Sequence, residues 1–404
     1  MKYLLLFHCN LNYSLMPPSG RDLVCRSSYE MILDVLASYP EAHFSLEASG
    51  FTLDYLAEHQ PGVLEKLLAA VRDGRCEPIG SPYAHMVLTA FPDRDGAMAL
   101  AFGREAWERR GVLPETGWNP EFAWEARIPG LFAGAGYRRL VCDFDSYIQT
   151  VEGKRLPSLH TSTPEMIDEL LPVNPAHPVL HRPVRLPEGM LGVTKTDRLA
   201  VRCIKYFQGA ITLDEMLSVV DRFSAGEGYL AVFAGDAEYI GTTAWYGMRE
   251  RGPLGNFSPV DGAEARLVGL IEALLRRGGL ATVAEICDSV APTPEPFTVE
   301  DGLAAHHNRA SQWRQTPSAR LLDARCDEVR RRLACAEALA TSEEERGAVR
   351  KAWWHLVQGE CADGRYPKPP LSPSPEDIGY CLEHLEEAES IARALFRGGG
   401  SASA

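Results

Sequence analysis

Short apolar runs recur along the first two thirds of the chain, and several of them lack a strict alternation of apolar and polar residues. They occupy residues 3–9, 43–49, 76–81, 117–123, 139–144, 199–204 and 229–235. Continuous apolar runs of this length are typical of strands buried on both faces of a parallel sheet. Helical patterns lie between many of them, for example over residues 27–40 and 61–74. The alternation predicts an α/β fold, an incomplete parallel (β/α)7 barrel.

The pattern changes after about residue 290. The stretch 291–298 reads as a linker, and apolar residues at helical spacing follow over residues 317–340, 341–359 and 374–398. Thr341 and Glu344 suggest a capping box at the start of the second helix, and Ser374 suggests an N-cap for the third. We therefore predict a barrel over residues 1–290 and a C-terminal helical domain over residues 291–397.

Two further segments stand apart from these domains. Residues 146–195 are rich in proline and poor in regular pattern, which predicts a long irregular insertion at one face of the barrel. Residues 398–404 consist of glycine, serine and alanine, which is typical of a flexible tail or a cloning remnant.

Composition and charge exclude several classes of function. A formal net charge of -14 argues against binding to a nucleic-acid backbone, which relies on clustered Lys and Arg. No run approaches about 18 continuous apolar residues, so we expect no membrane span. The apolar run at residues 3–7 is too short for a signal peptide. Ten cysteines without a CxxC motif then favour reduced thiols in a cytoplasmic protein.

Polar or aromatic residues lie at or just after the ends of six of the predicted strands, where the carboxyl ends of parallel strands would bring them to one face of the barrel. They are His8; Glu47; Tyr83 with His85; Trp118 with Glu121; Asp143 with Asp145; and Asp236 with Glu238. Two carboxyl groups on separate strand ends suggest acid–base or nucleophilic chemistry.

These stretches resemble the five marker regions of glycoside hydrolase family 57. "WNPE" at residues 118–121 matches the region that carries the nucleophile, and "DAEYIG" at residues 236–241 matches the region that carries the acid/base. "FHCNLNYSLMP" keeps the histidine of the first region but has Cys9 and Asn10 in place of Gln-Pro. Ala237 replaces a glycine in the fourth region. "GRCEPIGSPYAH" matches the second region in layout, and "AWWHLVQGECADGRYP" resembles the fifth loosely.

The resemblance implies a retaining, metal-independent enzyme that acts on α-linked glycosides by hydrolysis or transglycosylation and needs no cofactor. It nominates Glu121 as nucleophile and Asp236 as acid/base. A carbohydrate substrate, an α-glucan, oligosaccharide or α-galactoside, would lie in a cleft that the helical domain completes. The expected substrate-binding residues are His8, Glu77, His85, Trp118, Asp143, Glu238, Trp354 and Asp363.

Two other classes of function stay open at this stage. His8, His85, Asp143 and Asp236 could bind zinc as separated ligands, as in metal-dependent sugar hydrolases or deacetylases. The altered marker residues also allow a carbohydrate-binding protein without turnover.

Overall fold

The computed structural model describes residues 1–12, 16, 18–153, 173–224, 227–243, 258–300, 303–304, 308–309, 313–366 and 373–398. Residues 154–172 of the predicted insertion and residues 399–404 of the predicted tail lie outside the described residues. Among the residues described, no helix combines the length and apolar content that crossing a membrane requires.

The main sheet has eight strands, of which seven run parallel. The strands are β1 Lys2–Cys9, β2 Phe44–Ala48, β3 Cys76–Gly80, β4 Thr116–Trp118, β5 Arg139–Asp143, β6 Val184–Arg185, β7 Leu191–Lys195 and β8 Tyr229–Asp236. Their order is β6-β7-β5-β4-β3-β2-β1-β8, with β6 antiparallel to β7 at one edge. A second, two-stranded sheet pairs β9 Leu303–Ala304 with β10 Asn308–Arg309.

Helices follow most of the strands and cover the outside of the sheet. The α-helices are α1 Arg21–Val24, α2 Met31–Ala37, α3 Gly50–His59, α4 Pro61–Arg72, α5 Asp93–Glu108, α6 Ile128–Gly134, α7 Phe144–Thr150, α8 Pro178–His181, α9 Asp197–Phe207, α10 Leu213–Phe223, α11 Ala263–Arg277, α12 Val283–Ser289, α13 Pro317–Leu339, α14 Glu343–Gly359 and α15 Pro375–Gly398. A π-helical turn, Cys25–Glu30, joins α1 to α2.

The predicted incomplete (β/α)7 barrel followed by helices is confirmed. In the described part of the chain, β7 and β8 share no backbone ladder, so the barrel is open between them. Side chains bridge this seam, where the Thr194 amide donates a 2.7 Å hydrogen bond to the Tyr229 hydroxyl. We call this opening the β7–β8 seam.

One predicted strand is wrong, and a strand that the patterns did not indicate replaces it. Residues 199–204 belong to α9, whose apolar residues are buried because the helix packs on β8. The seventh parallel strand is β7, at the end of the segment predicted as an irregular insertion. Its sequence, Leu-Gly-Val-Thr-Lys, has too few apolar residues to stand out from the proline-rich stretch before it.

Helix boundaries mostly follow the predicted signals. Pro61 begins α4, and Gly74 follows its end with a φ of 72°. Ser374 caps α15 by accepting from the Asp377 amide. The capping box of α14 differs from the prediction by one residue, because Ser342 and Glu345, rather than Thr341 and Glu344, form it.

Candidate active site

Alternate residues of each strand point into the barrel and form layers. The central layer is apolar and includes Leu6, Ile79, Val141 and Val193. One strand pleat further towards the carboxyl ends, the inward positions become polar or aromatic. This upper layer consists of His8, Glu47, Ser81, Trp118, Asp143, Lys195 and Asp236.

A bulge in β8 brings Asp236 into this layer. Leu4 pairs with Ala231 and Leu5 with Phe233, so Val232 is an extra residue. A one-residue slip exchanges the two faces of a strand. The bulge therefore turns Asp236 inward and places it opposite His8.

His8 lies among the other groups of the upper layer. Its Nδ1 is hydrogen-bonded to Glu47, its ring stacks on Trp118 with centroids 4.9 Å apart, and its Nε2 lies 3.9 Å from Asp236 Oδ1. Burial alone would lower the pKa of His8, but the Glu47 carboxylate raises it to about 9. The ring therefore carries a proton and a positive charge at neutral pH.

Glu121 sits in a strained turn directly after β4. The turn Pro120–Phe122 gives Glu121 a φ of 57° and Phe122 a φ of 49°. A left-handed conformation in a residue other than glycine costs about 1–3 kcal/mol. His85 Nε2 lies 3.1 Å from Glu121 Oε1 and, because a carboxylate only accepts, donates the hydrogen bond. The turn thus directs the Glu121 carboxylate towards His85. We call the region around the upper layer, Glu121 and His85 the pocket.

The carboxyl group of Asp236 lies in an environment that favours its protonated form. Burial raises its pKa, the positive charge of His8 opposes that rise, and the negative charge of Glu121 adds to it. The Tyr239 hydroxyl hydrogen-bonds the side chain. Asp236 and Glu121 are therefore close enough to influence each other electrostatically, and Asp236 is suited to hold a proton.

Glu238 anchors the turn after β8. Its Oε1 accepts from the Asn10 amide at 2.7 Å and from the Tyr29 hydroxyl. Burial, reinforced by Asp236, raises its pKa to about 7. Glu238 thereby ties the turn that carries Asp236 to the end of β1, which is a positioning contact for its neighbour.

Asp143 pairs with a cation that the motifs did not indicate. Lys195 Nζ lies 3.4 Å from Asp143, is bonded to Asp197, and sits 4.1 Å from the centre of the Phe122 ring. Burial raises the pKa of Asp143 to about 7, although Lys195 opposes the rise. Asp143 also caps α7 through the Ser146 amide.

Within the described residues, one acidic group has the spacing that a metal ion would need. Asp143, Asp145 and Asp197 can bring one oxygen each within 4.8 Å of one another. Lys195 pairs with Asp143 and Asp197 and supplies a positive charge there. The histidines of the zinc hypothesis are not part of this group: His8 is bonded to Glu47, and His85 to Glu121.

The prediction that Glu77 lines the pocket is wrong. Glu77 lies one pleat below the central layer and pairs in register with Ser45. Its carboxylate accepts from Thr116, from Ser45 and from the Ala284 amide in the first turn of α12. Burial raises its pKa. Because it faces the amino end of the barrel, Glu77 holds α12 in place and has no part in the upper layer.

The helical region approaches the pocket next to His85. The Ala362 amide donates a 2.7 Å hydrogen bond to the His85 carbonyl, and Met86 bridges to Cys361. Asp363 follows directly and accepts from the Cys361 thiol at 3.4 Å. Asp363 is thus on the His85 side of the site.

Trp354 lies further from these groups. Its ring packs edge-on against Tyr83, at 5.4 Å, and against His384, at 5.8 Å. In the described part of the chain, its ring contacts do not include His8, His85 or Trp118. Its role in substrate binding stays a prediction.

The motifs missed three groups that contact the predicted residues. Glu47 was noted only as a polar strand end, yet it sets the charge of His8 and accepts a hydrogen bond from Ser81. Its place two residues after Ser45, in an otherwise buried strand, was the available signal. Lys195 was missed because β7 was not recognised, and Tyr29 because it lies on a helix.

Comparisons with known proteins place this architecture among carbohydrate-active enzymes. The model of glycosyl hydrolase family 57 matches residues 24–243. A stretch of 116 residues, 29% of this chain, is 25% identical to an alpha-amylase from Pyrococcus abyssi and covers 18% of that protein. A stretch of equal length is 23% identical to a 4-alpha-glucanotransferase from Thermococcus litoralis and also covers 18% of it. The match thus spans less than a fifth of these curated relatives.

Solved structures share the fold over nearly the whole chain. The 4-alpha-glucanotransferase of Thermococcus litoralis superposes with a TM-score of 0.67 at 13% identity, over 96% of this chain and 59% of that one. A GH57-type branching enzyme from Pyrococcus horikoshii gives a TM-score of 0.65 at 12% identity, over 98% of this chain and 88% of that one. At such identities the likeness shows the fold alone.

Proposed function

Because this chain belongs to glycosyl hydrolase family 57, we propose that it is a retaining enzyme that hydrolyses or transfers α-linked glycosyl groups. The names of its relatives, alpha-amylase and 4-alpha-glucanotransferase, favour an α-glucan or α-linked oligosaccharide, with an α-galactoside as the alternative. The single observation that carries the proposal is the pair Glu121 and Asp236. The two carboxyl groups interact electrostatically but have different surroundings.

A double displacement assigns a separate role to each carboxyl group. Glu121 would attack the anomeric carbon and form a covalent glycosyl-enzyme, while Asp236 donates its proton to the departing oxygen. Asp236 would then take a proton from water or an acceptor sugar, whose oxygen displaces Glu121. The raised pKa of Asp236 suits the first step, because the group must begin protonated.

Neighbouring groups would support both steps. The protonated His8, 3.9 Å from Asp236, would stabilise the carboxylate that remains after proton donation. His85 would hold the Glu121 carboxylate in its attacking orientation. Trp118 is 3% exposed and its ring stacks on His8, so it would support that side chain, and Asp143 and Asp363 would bind hydroxyls. We propose that residues 291–397 form the domain that completes the cleft on the His85 side, with Trp354 as a further sugar contact.

The test is proton NMR of the protein with α-glucosides and α-galactosides. An α-anomer that appears first establishes a retaining mechanism and names the sugar. We expect Glu121→Gln to lower turnover at least about 10³-fold and Asp236→Asn about 10²–10⁴-fold. Glu125→Gln is the matched control, because Glu125 pairs with Arg127 in the same loop and should leave turnover unchanged. A β-anomer, or turnover in the Glu121 variant, would contradict the assignment.

Azide separates the two roles. In Glu121→Ala the small anion should attack in place of the nucleophile and yield a β-glycosyl azide. In Asp236→Ala it should attack the glycosyl-enzyme and yield the α-glycosyl azide. The same product from both variants would show that the roles are not divided in this way. Saturable sugar binding without turnover would instead favour a binding protein.

A further inference from the structure

The turn that carries Glu121 is strained at two successive residues. Glu121 and Phe122 both have a positive φ, 57° and 49°. A residue other than glycine persists in that conformation only when its surroundings impose it. The Phe122 amide donates a 3.1 Å hydrogen bond to the Asn119 carbonyl, and the Asn119 side chain donates one of 2.6 Å to the Ala123 carbonyl. These bonds lie within the turn, so side chains attach it to the rest of the barrel.

The buried ring of Phe122 is one such attachment, and it lies between an aromatic ring and a cation. Its edge-to-face contact with Trp118 has a centroid distance of 4.6 Å, and Lys195 Nζ lies 4.1 Å from its centre. An ammonium group is attracted to an aromatic face, most strongly where both are shielded from water. Lys195 is buried as well. The strained turn after β4 is therefore joined to β7 through the contact between Phe122 and Lys195.

Lys195 is itself fixed by two carboxylates. Its Nζ is bonded to Asp197, the first residue of α9, and lies 3.4 Å from Asp143 Oδ1 at the end of β5. A free lysine side chain has many rotamers, and these two ion pairs restrict them. The ammonium therefore has a position set by two neighbouring elements, and it presents that fixed charge to the ring of Phe122.

We infer that Lys195 is a positioning residue for the nucleophile. Through the ring of Phe122 it holds the strained turn that directs the Glu121 carboxylate towards His85. The inference rests on the proposed function, in which Glu121 attacks the sugar, and Lys195 need not touch the substrate. Without this contact the turn is free to relax, so Glu121 spends less time in its attacking orientation. A misplacement of a reacting group by about 1 Å can lower a rate about 10²-fold.

Azide separates an effect on Glu121 from an effect on the rest of the pocket. The probes are 4-nitrophenyl α-D-glucoside and 4-nitrophenyl α-D-galactoside. With Glu121 in place, we expect Lys195→Met to lower kcat/KM about 10- to 100-fold. In Glu121→Ala, where azide attacks in its place, the added Lys195→Met should change kcat/KM for β-glycosyl azide formation by less than about 3-fold. The two substitutions are then non-additive, because no nucleophile remains to be positioned.

Lys66→Met is the matched control. Lys66 also pairs with two carboxylates, Glu30 and Asp34, but it does so on the outer helices. The same substitution there should leave both reactions unchanged.

An equal fall in both reactions would show that Lys195 supports the pocket in general, and no fall in either would show that it has no part in it. Each result would overturn the inference. If Lys195→Met does not fold because Asp143 and Asp197 lose their cation, Phe122→Leu decides. It keeps the ion pairs, removes the ring and should give the same contrast between the two reactions, and equal falls would again contradict the role of Lys195. Absence of turnover of both probes by the unaltered protein would refute the proposed function and the inference with it, before any variant is compared.

Discussion

The charge of His8 depends chiefly on one neighbour, Glu47. Both side chains are buried, and the pair continues through the Ser81 hydroxyl to the end of β3. Burial favours a neutral imidazole, so the proton on His8 persists mainly because the Glu47 carboxylate attracts it, with smaller contributions from Asp236 and Glu238. The pH response of the site should therefore be sensitive to a residue that need not touch substrate.

Glu47→Gln tests this dependence. Without the carboxylate, the pKa of His8 should fall from about 9 to its ordinary value of 6.5 or lower. The positive ring of His8 opposes the raised pKa of Asp236, so its loss should raise that pKa further and move the alkaline limb of kcat/KM, which the acid Asp236 sets, to higher pH. The raised pKa also links folding to pH: stability from the protonated ring is complete below pH 6.5 and is lost as pH rises through about 9. Denaturant unfolding should show that this loss is absent in the variant.

Glu77→Gln is the matched control for this experiment. Glu77 is also a strand glutamate that points into the barrel, but it is half-buried and its partners lie at the opposite end. The variant should lose stability yet keep the alkaline limb of the unmodified enzyme. If both variants shifted the limb equally, the effect would come from general loosening of the barrel and not from His8.

Removal of metal ions tests, also at the scale of residues, whether the mechanism is independent of metal. The proposed mechanism uses two carboxyl groups, and Lys195 pairs with two of the three aspartates that could approach a cation. Dialysis against a chelator should therefore leave kcat/KM unchanged. A loss of activity that added zinc restores, and added magnesium does not, would revive the zinc hypothesis for His8, His85, Asp143 and Asp236.

At the scale of residues, sequence motifs predicted which residues belong to the site better than they predicted where those residues lie in the barrel. Trp118 and Glu121 were found because a short motif fixes their spacing within one loop. Glu77 was misplaced because its layer in the barrel depends on register, which one strand does not reveal. The left-handed turn at Glu121 was likewise hidden, since nothing in "WNPE" demands a positive φ.

At the scale of elements, prediction succeeded where apolar runs were long and failed at the β7–β8 seam. β1 and β8 have eight residues each and were recognised. β7 and α9 were exchanged, because the helix has the more apolar sequence and the strand the more polar one. Periodicity alone cannot separate a buried helix from a buried strand over six residues. The missed strand carried Lys195, so a wrong element concealed a residue of the site.

Close packing of α5 against the end of β3 leads to a prediction of its own. A Cβ on Gly103 would lie 2.0 Å from the Ser81 carbonyl oxygen and 3.0 Å from the Tyr83 amide nitrogen. These are backbone atoms that cannot turn aside. Gly103→Ala should therefore push α5 outward and destabilise the protein by about 1–3 kcal/mol or more. It should also disturb the Ser81–Glu47 contact and lower turnover.

Gly130→Ala is the control that separates the steric clash at Gly103 from the general effect of replacing a helical glycine. Gly130 also lies in a helix, α6, but an added Cβ would meet nothing within 4 Å. This variant should be neutral or stabilised by about 0.5–1 kcal/mol, since alanine favours the helix. Urea unfolding of both variants provides the comparison. Equal stabilities would show that α5 can move away from β3 at little cost.

At the scale of the whole molecule, a buried ion cluster joins the barrel to the C-terminal helices. Arg330 of α13 bonds Asp95 of α5 at 2.7 Å and Glu360, just after α14, at 2.8 Å. Both carboxylates are 0% exposed. Glu360 immediately precedes Cys361 and Ala362, which pair with Met86 and His85. The cluster thus fixes the helical region beside the proposed pocket.

Arg330→Leu should destabilise the protein by about 3–5 kcal/mol, because it leaves two carboxylates buried without their shared cation. The pKa of Glu360 in the folded state, which burial and Asp95 already raise, should then rise further. A carboxyl group whose pKa is higher in the folded than in the unfolded state makes the protein less stable as pH increases. The deficit measured by denaturant unfolding should therefore be smaller at pH 5 than at pH 8.

Arg350→Leu removes an exposed pair with Glu105 between α14 and α5 and should cost at most about 1 kcal/mol at either pH. A deficit for Arg330→Leu that is small or independent of pH would show that the cluster does not hold the two regions together.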